Sequence, residues 1–116
     1  MEIQNATIKS TFLGLGRGIM TFFLHLEWER SGQGFGGYAL DRTDSATGSK
    51  VAINYSMPLI REVLSVVGAD SWEAVAGKLV RVEFDSNRVI RIGNIMENRW
   101  LSLEEFTAPY IAQDKQ

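Results

Sequence analysis

Leu79-Val80-Arg81-Val82-Glu83-Phe84-Asp85-Ser86-Asn87-Arg88-Val89-Ile90-Arg91-Ile92-Gly93-Asn94-Ile95 is the stretch on which the fold turns. Two apolar runs, Leu79–Phe84 and Val89–Ile95, flank Asp85-Ser86-Asn87-Arg88, a turn composition that signals a hairpin. A two-residue loop at Ser86-Asn87 sets Val82 opposite Arg91 and mixes apolar with charged side chains on one face. A three-residue loop, Ser86 to Arg88, sets Phe84 opposite Ile90, Val82 opposite Ile92 and, on the outer face, Glu83 opposite Arg91. Because a one-residue slip exchanges the two faces of a strand, burial selects the three-residue loop. Gly93 marks either a bulge or a close approach of backbone.

Working toward the N-terminus, Asp70-Ser71-Trp72-Glu73 reads as a capping box with Asp70 as cap, opening a helical turn or two that ends at Gly77. Before it, Leu59, Ile60, Val63, Leu64 and Val67 follow the helical period. Ser56 is the candidate N-cap, Pro58 lies in the first turn and Gly68 is the left-handed stop. Val51, Ile53 and Tyr55 alternate as a short strand, and the polar run Asp41 to Lys50 reads as a mobile loop. Met20, Phe22, Leu24, Leu26 and Trp28 alternate with Thr21, His25 and Glu27 as a strand. Ile19 and Phe23 make its second face half apolar, which predicts a partial cover. Ile3 to Leu13 is strand-like and ends in Gly14-Leu15-Gly16-Arg17-Gly18, read as a reversing loop. Glu29 to Gly34 turn the chain, and Phe35 to Leu40 return.

Toward the C-terminus, Ser102-Leu103-Glu104-Glu105 is a second capping box, opening a short helix through Phe106 that Pro109 ends. Residues 113–116 are expected to fray. No repeat or linker breaks the chain. The expectation is one α+β domain over residues 1–112, with a mainly antiparallel sheet of five or six strands and two or three short helices packed on it.

Composition narrows the function. The 116 residues contain no cysteine, 12 Lys+Arg against 14 Asp+Glu and one histidine. That length builds one core, and the absent cysteines exclude a disulfide frame or thiolate metal site. A net charge of −2 argues against a general nucleic-acid binder, which needs a basic face to displace counterions. No apolar run approaches the roughly 20 residues that span a bilayer, and no export signal opens the chain. A cytoplasmic protein without membrane contact is the expectation.

Gly32-Gln33-Gly34-Phe35-Gly36-Gly37 matches the dinucleotide fingerprint letter for letter, but strand-like Tyr38-Ala39-Leu40 follows where a helix must begin. Val51-Ala52-Ile53 mimics the start of a kinase lysine strand, yet Asn54 stands at the lysine's place. Two readings stay open for the glycines: a tight hairpin connection, or a loop whose bare N–H groups meet a ligand or partner beside Phe35 and Tyr38. His25 has Glu27 two residues on along one strand face, too few groups for catalysis or a metal. Glu104 and Glu105 are explained by the helix start. Neither an enzyme nor a bound cofactor is expected. Arg81, Arg88, Arg91 and Arg99 cluster in the C-terminal hairpin and its exit. With Trp100 they form either a patch for a phosphate, nucleotide or acidic surface, or solvated edge charge in which Glu83 pairs Arg91. Trp72 and Trp100 are expected as packing anchors.

Met1-Glu2-Ile3-Gln4-Asn5-Ala6, Gly32-Gln33-Gly34-Phe35-Gly36-Gly37-Tyr38, Val67-Gly68-Ala69-Asp70-Ser71-Trp72-Glu73 and Ile92-Gly93-Asn94-Ile95 with Trp100-Leu101 together carry a resemblance. The chain resembles a family of short, mostly uncharacterised bacteriophage and prophage proteins. That resemblance implies an accessory factor in the host cytoplasm, anti-CRISPR-like, which binds and inhibits a bacterial defence complex through a protein surface. The expected contact residues are Gly34, Phe35, Tyr38, Arg81, Arg91 and Trp100. The alternative is a module that sequesters a nucleotide immune signal on the same residues. Edge strands of such a sheet also offer a route to a homodimer.

Overall fold

The Leu79–Ile95 stretch forms its hairpin from strands β6 (Leu79–Asp85) and β7 (Arg88–Gly93) in a computed structural model that describes residues 2–114. Val82 faces Ile92 and Glu83 faces Arg91 as expected, but Phe84 faces Val89 and Asp85 faces Arg88. The loop is therefore the two-residue Ser86-Asn87, with Ser86 at φ 59°. The register shifts between Glu83 and Phe84, so Ile90 is an extra, bulged residue. A bulge inserts one residue into one strand and restores the faces beyond it. Phe84, Val89, Val82 and Ile92 are all buried as a result.

Strands β1 (Glu2–Gly16), β2 (Ile19–Trp28) and β3 (Ser31–Ala39) precede it. With β8 (Trp100–Leu101) they form one antiparallel sheet in the order β3-β2-β1-β6-β7-β8. The expected reversing loop at Gly14–Gly18 is smaller than its composition suggests. Gly14 and Gly16 lie in β1 opposite Thr21 and Ile19, and only Arg17 and Gly18 turn, at φ 54° and 82°. The next turn is likewise two residues, Glu29 and Arg30, at φ 35° and 74°. Two successive positive φ angles suit the tight turn whose twist matches flanking strands. Gly32, Gln33 and Gly34 therefore belong to β3, not to a hairpin connection.

One face of the sheet makes the core. Ile8, Phe22, Leu24, Leu26, Val80 and Val82 are fully buried there, against Leu59, Val63 and Val66 of α1 (Ser56–Val67). Gly68 ends α1 in the left-handed conformation at φ 82°, its N–H reaching the Leu64 carbonyl at 2.8 Å. The N-cap is Tyr55 without a side-chain cap bond, and Ser56 is already helical. Trp72–Ala74 is a single 3-10 turn capped by Ser71, again with no side-chain cap bond, so the expected Asp70 capping box does not form. Trp72 still anchors this turn, meeting Phe22 edge-on at 6.0 Å.

The polar run after β3 is not one loop. β4 (Asp41–Thr43) pairs with β5 (Lys50–Ala52) as a small second sheet, and Thr47 Oγ1 donates to Asp44 Oδ2 at 2.9 Å across its turn. Ile53 and Tyr55 lie beyond β5. The C-terminal helix α2 (Leu103–Asp114) opens on Ser102, whose Oγ accepts the Glu105 N–H at 3.3 Å. It runs past Pro109 rather than stopping. The carbonyl orphaned by a helical proline is that of the residue four earlier. Here that residue is the exposed Glu105, which solvent reaches. Residues 113 and 114 are thus helical, and the rest of the expected frayed tail, 115–116, lies outside the described residues. The cover predicted over part of the second face of β2 reaches Thr21, which is buried, but not Ile19 and Phe23, which are 42% and 45% exposed.

Tyr55 is buried, and its hydroxyl donates to the Ala39 carbonyl at 2.8 Å. Burial, then the nearby Tyr38 phenol, pushes its pKa above the usual tyrosine range. A group whose folded pKa is raised favours the folded state until pH passes its unfolded pKa, about 10 for tyrosine. Above that pH the unfolded chain releases the proton first, and stability falls. Melting temperatures are expected to drop more steeply above about pH 10 in the wild type than in Tyr55→Phe. The variant loses about 1 kcal/mol at neutral pH with its hydrogen bond.

Candidate functional site

The sheet curls until its first strand approaches its fifth. Gln33 spans the gap: its Oε1 accepts the Val89 N–H at 2.7 Å, and its Nε2 donates to the Asn87 carbonyl at 3.2 Å. One side chain thus does what a pair of ladder bonds would do between β3 and β7. Beyond Gln33 the strands part around a groove of about 700 Å³. Gly34, Phe35, Gly36 and Tyr38 line one wall; Arg88, Val89, Ile90 and Arg91 line the other; Ser102 to Glu105 and Ala108 of α2 close the third.

Turn geometry fixes which backbone groups face this groove. The residues flanking a two-residue hairpin turn bond to each other, and bonded pairs recur at every second residue of an antiparallel ladder. Trp28 and Ser31 flank the turn, so Ser31, Gln33 and Phe35 bond toward β2 through Trp28, Leu26 and Leu24. The N–H and C=O groups of Gly32 and Gly34 and the N–H of Gly36 then point to the open edge; Gly34 and Gly36 lie on the groove, while Gly32 stands on the turn side of the Gln33 bridge. These three residues share the outer face with His25 and Glu27, while Gln33 and Phe35 share the buried face with Leu24 and Leu26.

The structure sorts the expected contact residues into three situations. Gly34 and Tyr38 are on the groove wall. Phe35 is 5% exposed: it contributes packing beneath the groove rather than a free contact, because the short turn puts it on the core side of the strand. Arg81, Arg91 and Trp100 meet on the outer face of the hairpin. The guanidinium carbons lie 4.6 and 4.4 Å from the Trp100 ring centroid, and the ring lies so close over Gly93 that a Cβ there would sit 2.6 Å from it. A side-chain ring makes this approach, so Gly93 is neither the bulge nor the close approach of backbone that the sequence suggested.

These arginines have partners inside the chain. Arg81 donates to the carbonyls of Asn94 and Glu97 at 2.7 Å each, and Arg91 pairs with Glu83. Arg99 pairs with Glu62 at 3.0 Å. Arg88, exposed on the groove wall, is the member of the cluster with no carboxylate in ion-pair range among the described residues. His25 Nε2 lies 3.7 Å from Glu27 Oε2, which Lys9 Nζ approaches at 3.2 Å. That trio is half-exposed surface charge. No group of three or more acidic or imidazole side chains is placed to hold a metal, and no helix is long and apolar enough to cross a membrane, among the described residues.

Gln33 and the first turn of α2 belong to the site and were not assigned to it from sequence; Arg88 was named in the arginine cluster but not among the expected contact residues. Gln33 carried a signal, since it is a polar residue on the apolar phase of its strand. No family model, curated protein or solved structure matches the chain.

Proposed function

We propose that this chain is a binding protein that occupies a surface of another protein, and that its target is a bacterial defence complex, which it inhibits. The binding reading rests on the groove between β3 and β7. There a row of unpaired backbone groups faces a wall bearing one uncommitted guanidinium, in a volume of about 700 Å³. Protein interfaces are built from such features: hydrogen-bonding groups awaiting partners, aromatic side chains such as Tyr38, and arginine. The choice of a defence complex as target rests on the resemblance of the glycine and Val67–Glu73 motifs to phage proteins.

The test is capture of partners by the tagged protein from lysates with active defence systems, quantified by mass spectrometry. A stoichiometric defence component is expected, and Arg88→Glu is expected to cut its recovery about tenfold or more. Arg88 is exposed, so this variant should melt within a degree or two of the wild type. No stoichiometric partner, together with a melting temperature raised several degrees by millimolar cyclic nucleotide, would move the assignment to nucleotide sequestration.

A further inference from the structure

We infer that the groove receives an extended segment of the partner protein, which pairs as an added strand with the open edge of β3. This rests on the binding reading above and specifies how that site engages its target. Gly34 carries the inference. Three of the glycines in this stretch are explained by the chain itself. Gly36 and Gly37 have φ of 125° and 84°, and a Cβ on Gly32 would press to 3.1 Å from the Leu26 carbonyl oxygen. Gly34 has ordinary extended backbone, and a Cβ there would meet only a Phe23 ring carbon, at 4.0 Å. Nothing inside the fold requires glycine, and glycine in a strand costs about 0.5–1 kcal/mol relative to alanine. Such a position marks close approach by another backbone.

The groove defines the occupant. Its volume of about 700 Å³ holds about four residues of extended chain, taking strand spacing, sheet thickness and rise together. The backbone row that lines it begins at Gly34, on the far side of the Gln33 bridge from Gly32. A second copy of the chain would have to bring a whole sheet past β7 and α2, whereas a single segment passes between them. Long edges are normally blunted by charge or proline, and the Gly32–Gly37 stretch of β3 has neither. Arg88 offers a guanidinium from the opposite wall, and the exposed Glu104 and Glu105 of α2 line the same groove, so the segment is held by its main chain and not selected by its charge. Main-chain pairing with pockets for alternate side chains is an established way for proteins to hold extended peptides.

A library of displayed random 12-residue peptides, selected on the wild-type protein, supplies the probe, and one selected peptide is measured by fluorescence anisotropy. Gly34→Pro removes the outward N–H while breaking no ladder bond, and is expected to weaken binding about tenfold or more. Gly34→Ala keeps that N–H but sets a methyl group where the segment's backbone approaches, and is expected to weaken binding about threefold or more, less than Gly34→Pro. Saturating peptide should also slow amide exchange at Gly34 and Gly36 in the unmodified protein, a readout that stands if the proline variant fails to fold. Retention of no peptide, equal binding by Gly34→Pro, or unchanged exchange at these amides overturns the inference. So does a homodimer that Gly34→Pro disperses, since a second copy would then be the occupant. A defence component captured in an Arg88-dependent manner but indifferent to Gly34→Pro would end the strand mode and leave the binding reading intact; the absence of any captured partner would end the latter.

Discussion

Truncating Phe22 to alanine lowers the stability of the fold by about 3–5 kcal/mol. Phe22 is fully buried near the middle of β2, the strand that β1 and β3 flank. Its ring meets Trp72 edge-on at 6.0 Å, so the truncation opens a void and also releases the 3-10 turn that carries Trp72. The turn has no side-chain cap to hold it otherwise, which limits how far the cavity can be relieved without loss of that segment. Against the 5–15 kcal/mol typical of a domain, this is a large fraction of the total. Urea unfolding of the two proteins should show a lower midpoint with a similar slope. A loss under about 1 kcal/mol would mean that the core collapses around the missing ring, contrary to the packing described.

The parts of this structure that were legible in the sequence are those that burial alone decides. The alternation in β2 and the pairing of Val82 with Ile92 and Glu83 with Arg91 follow from separating apolar from charged faces. The length of the turn at Ser86-Asn87 does not, because a bulge at Ile90 lets a two-residue turn coexist with the same faces. Burial fixes the register of the body of a hairpin, and turn chemistry fixes its end; a bulge lets the two disagree by one residue. Glycine misled for a related reason. The turn expected over Glu29 to Gly34 is made by Glu29 and Arg30 alone, at positive φ, and the glycines that lengthened it on paper, Gly32 and Gly34, are already in β3. Pro109 likewise reads as a helix stop, and is tolerated because the carbonyl it orphans belongs to an exposed residue.

The site was half legible. Gly34, Tyr38 and Arg91 stand on the same groove, and the Arg81–Trp100–Arg91 cluster exists. What no local pattern contains is the curl that brings β3 to face β7 across 54–56 residues of chain, stapled by Gln33. Nor could composition reveal that three of the four hairpin arginines bond inside the chain, leaving Arg88. A guanidinium already stacked on Trp100 and bonded to carbonyls or a carboxylate has fewer donors to offer a ligand, so the arrangement shifts weight from the arginine cluster to the strand edge.

Two glycines on one face of β3 are expected to respond to alanine with opposite signs. Gly36→Ala destabilises the fold by about 3 kcal/mol or more. Its φ of 125° is one that side-chain-bearing residues rarely adopt, and the new Cβ would lie 2.5 Å from the Phe22 carbonyl oxygen. That oxygen belongs to the backbone of a central strand, so the clash cannot be relieved by a rotamer change. Relief requires breaking the bulge through which β3 shifts register between Phe23 and Thr21. The bulge also sets the path to Tyr38, whose carbonyl accepts the buried Thr21 hydroxyl at 2.8 Å, and to Ala39, which accepts the Tyr55 hydroxyl. Gly34→Ala instead gains up to about 1 kcal/mol, because its backbone is already extended and the methyl group meets open space, so the main change is a stiffer unfolded chain. Thermal melts of the two variants beside wild type measure both signs at once. If Gly34→Ala were as damaging as Gly36→Ala, Gly34 would have a structural reason of its own, and the case for a partner's backbone at that position would lose its footing. Opposite shifts leave the glycine at position 34 explained by what binds there rather than by what folds there.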